Sequence, residues 1–244
     1  MKQTVKKLIN KIIVSCQAYE GTPLYGADYM KAMAQCAILG GAAGIRACWP
    51  QDISAIRSIT DLPIVGINKI SNPKINLLDQ VIITPTFESA CEVIDAGADI
   101  LGIDCTLRGR SYDDLCKLLY SIKNKYPDIA ILADISTVEE GVQISKSGLV
   151  DIIASTLSGY TRETYSPTNN TIEPDYKIVR ELKERIDLPI NAEGKVWELN
   201  HLKKLLDSGA DMVTIGTAIT RPHLITKRFV DFNKKYFDGK EYKL

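Results

Sequence analysis

Gly209-Ala-Asp-Met-Val-Thr-Ile-Gly216 decides the fold of this chain. A glycine comes first, then an aspartate, a short apolar run and a second glycine. The first glycine suits the end of a helix, where a left-handed residue stops the spiral. The apolar run has the length of a buried strand. The same opening returns at Gly97-Ala-Asp99 and at Gly148-Leu-Val-Asp151. Each closes a helix with glycine and opens a strand.

Between these junctions and beyond them, apolar runs alternate with helical periodicity along the whole chain. Strands are expected at 12–16, 43–45, 63–67, 99–103, 129–133, 151–154, 188–192 and 211–215, with a small extra strand at 81–84. Helices are expected at the N-terminus and at 28–39, 52–59, 86–95, 112–125, 137–148, 175–185, 198–206 and 224–235. Asp52 and Thr137 are expected to cap their helices. Eight strand–helix units in 244 residues predict an α/β fold, a TIM (β/α)8 barrel forming a single domain, with a polar tail at 238–244. A doubly wound open sheet is the alternative. No Gly-x-Gly-x-x-Gly turn follows the first strand, which counts against dinucleotide binding.

Composition narrows the function. Thirty basic residues balance 30 acidic ones, so no charge excess points to nucleic acid or to a membrane surface. No apolar run approaches the roughly 20 residues that span a bilayer. The basic N-terminus is followed by too short an apolar run for a signal peptide. Six cysteines stand apart with no Cys-x-x-Cys pair. They read as buried thiols in a reducing cytoplasm. The histidines, His201 and His223, end no strand, so no metal centre is expected.

In a barrel the chemistry sits where strands end. The expected strand ends carry Gln17, Arg46, Lys69, Asp104, Asp134, Ser155-Thr156, Glu193 and Gly216. Strands three and seven lie opposite one another in a ring of eight. Lys69 and Glu193 are therefore expected to flank a substrate from two sides, as a pair of proton carriers able to invert one carbon. A Schiff base on Lys69 is a second option. Pro189-Ile-Asn-Ala-Glu-Gly194 and Gly216-Thr217 are expected to cradle a phosphate through backbone N–H groups, with Arg221 adding a forked contact.

Several stretches together resemble one family: Ile13-Val-Ser-Cys-Gln17, Gly40-Gly-Ala-Ala-Gly-Ile-Arg46, Ile82-Ile-Thr-Pro-Thr86, Ala133-Asp-Ile-Ser-Thr-Val-Glu-Glu-Gly141, Thr156-Leu-Ser-Gly-Tyr-Thr161, Ala192-Glu-Gly194 and Ile215-Gly-Thr-Ala-Ile-Thr-Arg-Pro222. The chain resembles the bacterial N-acetylmannosamine-6-phosphate 2-epimerases from about residue 8 to residue 230. Cys48, Lys195, Gly109 and the 70–79 segment depart from the family pattern. The resemblance implies an isomerase of the N-acylglucosamine-6-phosphate 2-epimerase type, serving sialic acid breakdown without a cofactor. It implies that Lys69 and Glu193 carry proton chemistry at C2. It places Gln17, Arg46 and Asp134 around the sugar, with Gly194, Gly216 and Arg221 near the phosphate. Arg46 becomes a candidate donor to the enolate oxygen. The family also implies a cytoplasmic homodimer that uses the last helix. The competing readings are a Schiff-base aldolase or lyase, a metal-dependent pentose phosphate epimerase, and a sugar-phosphate-binding barrel without catalysis.

Overall fold

The three glycine–aspartate junctions do more than turn the chain. Gly97, Gly148 and Gly209 all have positive φ, at 107°, 70° and 98°. The aspartate after each reaches back to the preceding strand. Asp99 accepts from the Ile64 amide at 2.9 Å and from Arg57 at 2.6 Å. Asp151 accepts from the Ile131 amide at 2.9 Å and from Lys123 at 2.8 Å. Asp211 accepts from the Ile190 amide at 2.9 Å and from Lys183 at 2.8 Å. One device thus recurs every second strand. The ion pairs are partly solvated and contribute little energy; the amide bonds set where neighbouring strands begin to pair.

The computed structural model describes residues 1–70, 76, 78–165 and 173–238. The expected tail beyond 238, and parts of the 70–79 and 155–170 loops, lie outside the described residues. The strands are β1 (Lys11–Cys16), β2 (Gly44–Cys48), β3 (Ile64–Ile67), β4 (Ile100–Asp104), β5 (Ala130–Asp134), β6 (Ile152–Ala154), β7 (Ile190–Glu193) and β8 (Met212–Ile215). They close into a parallel barrel in sequence order, with β8 returning to β1. The outer helices are α2 (Ala27–Leu39), α3 (Pro50–Arg57), α4 (Phe87–Asp95), α5 (Tyr112–Lys125), α6 (Val138–Ser145), α7 (Tyr176–Arg185) and α8 (Leu199–Asp207). A short α1 (Gln3–Lys6) precedes the barrel, and α9 (Thr217–Thr220) and α10 (Pro222–Phe237) follow it.

Apolar side chains fill the lower barrel. Ile13, Val65, Ile100, Leu132, Ile152 and Met212 are buried there together with Val5 of α1 and Leu8 just after it. A second apolar layer packs the strands against the outer helices. The polar interior residues, Ser15, Arg46, Asp104, Asp134, Asn191 and Thr214, are buried as well. Apolar packing thus fills the floor of the barrel.

Local signals account for most element starts. Thr86 and Thr137 each form a capping box, and Ser111 and Asp175 cap α5 and α7 through their side chains. Three expectations need correction. Arg46 does not follow its strand but lies inside β2, because pairing with β3 continues to Cys48 and Ile67. Asp52 does not cap α3; it sits in the first turn, two residues after the Pro50 that opens the helix. Residues 81–84 form no strand. A single antiparallel bridge joins Lys69 to Ile83, and Thr84, with φ at 48°, breaks the extended run.

Candidate active site

A cleft of about 1420 Å³ opens at the carboxyl ends of the strands. Gln17, Lys69, Glu193 and Gly194 line it, and so do Gly216, Thr217 and Arg221. The expected site residues Arg46 and Asp134 do not line it. They are buried in the barrel interior beside Glu193.

The buried pair is tightly built. Arg46 donates to both oxygens of Asp134, at 3.0 and 2.7 Å. Its Nη1 also lies 3.0 Å from Glu193 Oε2. One fork therefore holds two carboxylates, as a planar guanidinium can and a lysine cannot. Asp134 is fully buried, whereas the Glu193 side chain keeps 13% exposure. Glu193 is thus the member of the triad that meets the cleft. Thr156 donates to Glu193 Oε2 at 3.2 Å, and the Glu193 amide donates to Ser155 Oγ at 3.1 Å. Burial pushes the Glu193 carboxyl up; Arg46 opposes this, Asp134 reinforces it, and the net shift is upward. A carboxyl so placed keeps its proton to higher pH than a free one.

Lys69 stands just beyond β3 on another wall. Its backbone is fixed on both sides: its carbonyl accepts from Trp49 Nε1 at 3.1 Å, and a single antiparallel bridge joins it to Ile83. Thr84 Oγ1 accepts from the Asn68 amide at 3.0 Å and donates to the Gly102 carbonyl at 2.7 Å. The Lys69 ammonium donates to the Tyr19 hydroxyl at 3.2 Å. Lys69 and Glu193 thus enter the same space from opposite strands of the ring and feel each other's charge.

The glycines meet different demands. Gly194 has φ at 112° with nothing within 4 Å of a hypothetical Cβ, so conformation and not space requires glycine there. At Gly216 a Cβ would come within 3.3 Å of the Ser15 Cβ. There the backbone approaches β1 closely. The Thr217 and Ala218 amides lie in the first turn of α9, where no intrahelical acceptor exists. Arg221 follows that turn and faces the same cleft.

Residues 30–235 match the protein family described as "Putative N-acetylmannosamine-6-phosphate epimerase". A relative named for that 2-epimerase activity, from Caldanaerobacter subterraneus subsp. tengcongensis, is 44% identical over 235 residues, covering 95% of this chain and 94% of the relative. A second, from Shouchella clausii, is 38% identical and covers 95% and 99%. The solved N-acetylmannosamine-6-phosphate 2-epimerase of Clostridium perfringens superposes with a TM-score of 0.84 at 36% identity, covering 94% of this chain and 96% of that one. The chain belongs to this epimerase family. A thiamine phosphate pyrophosphorylase from Pyrococcus furiosus (TM-score 0.58, 16% identity) shares the fold alone.

Within the epimerase fold, sequence reasoning missed the cleft residue Tyr19, and it placed Thr156 at a strand end without naming its partner Glu193. Tyr19 lies in the loop after β1, and Thr156 sits in the 3-10 turn Ser155–Leu157. Nothing in strand periodicity singles out a loop tyrosine; only the folded loop brings it to Lys69. Cys48 and Cys105 are buried, and burial pushes the Cys48 thiol up to about 11. Neither is therefore a ready nucleophile. Among the described residues, no group of three or more His, Cys, Asp or Glu could hold a metal ion, and no helix is long and apolar enough to cross a membrane.

Proposed function

We propose that this chain interconverts N-acetylmannosamine 6-phosphate and N-acetylglucosamine 6-phosphate by removing and returning the hydrogen on C2, with Lys69 and Glu193 as the two proton carriers. The observation that carries this assignment is the entry of Lys69 and Glu193 into one cleft from opposite strands, with Arg46 gripping Glu193 from behind. The open-chain sugar has an aldehyde at C1. Its C2 hydrogen is acidic because the resulting enolate spreads charge onto oxygen. One carrier takes that proton, and the other delivers one to the opposite face, which inverts C2. The reverse reaction exchanges their roles.

Gln17 lines the cleft, and its Oε1 is buried without a partner among the described residues, which supports a role in accepting from a sugar hydroxyl. Gly194, Gly216 and Thr217 offer backbone N–H groups to the phosphate, and Arg221 adds charge. Arg46 reaches the chemistry through Glu193, since both of its Nη atoms are engaged by carboxylates. Asp134 orients Arg46. A cytoplasmic setting suits a phosphorylated sugar and six unpaired thiols.

Purified protein supplied with either sugar phosphate should reach the same final mixture of both. If neither is consumed, the assignment fails. Sodium borohydride added during turnover should leave Lys69 unmodified; a reduced adduct there would instead favour the Schiff-base lyase reading.

The family expectation of a homodimer fits α10. This helix buries none of its residues. Phe229 and Phe232 are 73% and 72% exposed, and Tyr236 shares their side of the helix at spacings of three and four. An apolar stripe of that kind in water marks an interface. Light scattering should give twice the 27.0 kDa chain mass. The double substitution Phe229→Ser and Phe232→Ser should halve it. A wild-type monomer at micromolar concentration would contradict the dimer.

A further inference from the structure

Tyr19 holds a place that the epimerase reading does not use. Its hydroxyl accepts from the Lys69 ammonium at 3.2 Å. The Arg221 guanidinium lies 5.0 Å from its ring centroid, and the Lys69 Nζ lies 5.8 Å from the same centroid. The ring also meets Trp49 edge-on, at 5.9 Å and 84°. Trp49 in turn donates to the Lys69 carbonyl. One side chain therefore touches the proposed proton carrier, the residue that pins its backbone, and the proposed phosphate-binding arginine.

We propose that Tyr19 is a positioning residue for Lys69, its hydroxyl aiming the Lys69 amine at the reacting carbon while its ring is held between Trp49 and Arg221. This inference rests on the reading of Lys69 as a proton carrier.

The chemistry of a phenol suits the task. A carboxylate partner would hold lysine as a fixed ammonium, because the ion pair favours the charged form. A phenol is neutral, and it both donates and accepts. It accepts from the ammonium, and once Lys69 has given up a proton its own O–H can turn and donate to the amine. The pair stays hydrogen-bonded through both halves of a proton-transfer cycle. Among the described residues, the Tyr19 proton has no other acceptor, so this rotation breaks no existing bond. The ring has its own role. Arg221 lies over the electron-rich ring face, a favourable place for a cation, whereas Lys69 meets the ring at its hydroxyl. Burial pushes the phenol up, but Lys69 and Arg221 outweigh it and bring Tyr19 below its ordinary value.

Tyr19→Phe removes the hydroxyl and keeps the ring, so it separates the two roles. Steady-state kinetics on N-acetylmannosamine 6-phosphate should show kcat lower by roughly 10- to 100-fold, the loss expected for one hydrogen bond to a charged group, with KM within about twofold of wild type. Tyr19→Leu, which removes the ring as well, should match that kcat loss and also raise KM through Arg221. A Y19F enzyme with wild-type kcat, or one whose only defect is in KM, would overturn the inference. So would a Y19L kcat well above that of Y19F. Lys69→Ala measured in parallel separates the two levels of the argument. If it turns over normally, the proton-carrier reading itself has failed. If it is inactive while Y19F is normal, only the role given to Tyr19 has failed.

Discussion

Lys69→Ala is expected to lower kcat by roughly 10²- to 10⁴-fold, the range supplied by a positioned acid–base group. The size follows from the geometry. Lys69 is the amine fixed by backbone contacts on both sides, through Trp49 and Ile83. Lys195 also lines the cleft, but its Nζ lies 6.0 Å from the Tyr160 ring and is not held at Tyr19. It therefore offers no substitute. Lys69→Arg should fail almost as badly. A guanidinium keeps the charge yet does not lose its proton near neutral pH, so it cannot act as the base. Comparing the two variants distinguishes charge from proton transfer. If arginine restored most of the rate, Lys69 would serve as an electrostatic anchor and not as a carrier.

Arg46→Ala should remove both activity and much of the stability. It leaves Asp134 and Glu193 with no cation between them, in a site where neither is well solvated. Breaking a buried ion pair from one side costs about 3–5 kcal/mol. The cost should depend on pH in a defined direction. The Glu193 carboxyl already titrates above its ordinary value in the folded protein. Losing Arg46 removes the main effect that lowers it. A carboxyl with a raised folded value binds more protons folded than unfolded, so stability falls as pH rises from about 4.3 through the folded value, and the penalty is complete above it. Urea denaturation of wild type and variant should therefore show a smaller stability gap at pH 5 than at pH 8. A gap that widened toward acid would mean the carboxylates are not the groups left stranded. Arg46→Lys should rescue only part of the loss, because a point charge cannot fork to both partners.

Most of the barrel was legible because its signals are local. Tyr112–Lys125 is read residue for residue, since Ser111 caps one end and Pro127 follows the other. The Asp99, Asp151 and Asp211 junctions mark strand starts because each carries its own turn residue. Strand ends were less legible. How far β2 runs depends on pairing with β3, and no property of Arg46 itself reveals that. The apolar run at 81–84 has the look of a strand, yet it finds only one bridging partner and bends at Thr84. The site divides in the same way. Lys69 and Glu193 could be named because strand order alone sets them on opposite sides. The grip of Arg46 on Glu193, and the approach of Tyr19 to Lys69, arise from side chains 147 and 50 positions apart in the chain. No pattern within either neighbourhood reports such a meeting.

Breaking and remaking a C2–H bond between Lys69 and Glu193 exposes that hydrogen to exchange with solvent. Proton NMR of N-acetylmannosamine 6-phosphate incubated with the enzyme in heavy water tests it most directly. The N-acetylglucosamine 6-phosphate signals should appear with deuterium at C2, and Lys69→Ala should slow both the new signals and the exchange by the same roughly 10²- to 10⁴-fold factor. Product that forms with its C2 hydrogen fully retained from substrate would contradict the proposed proton transfer.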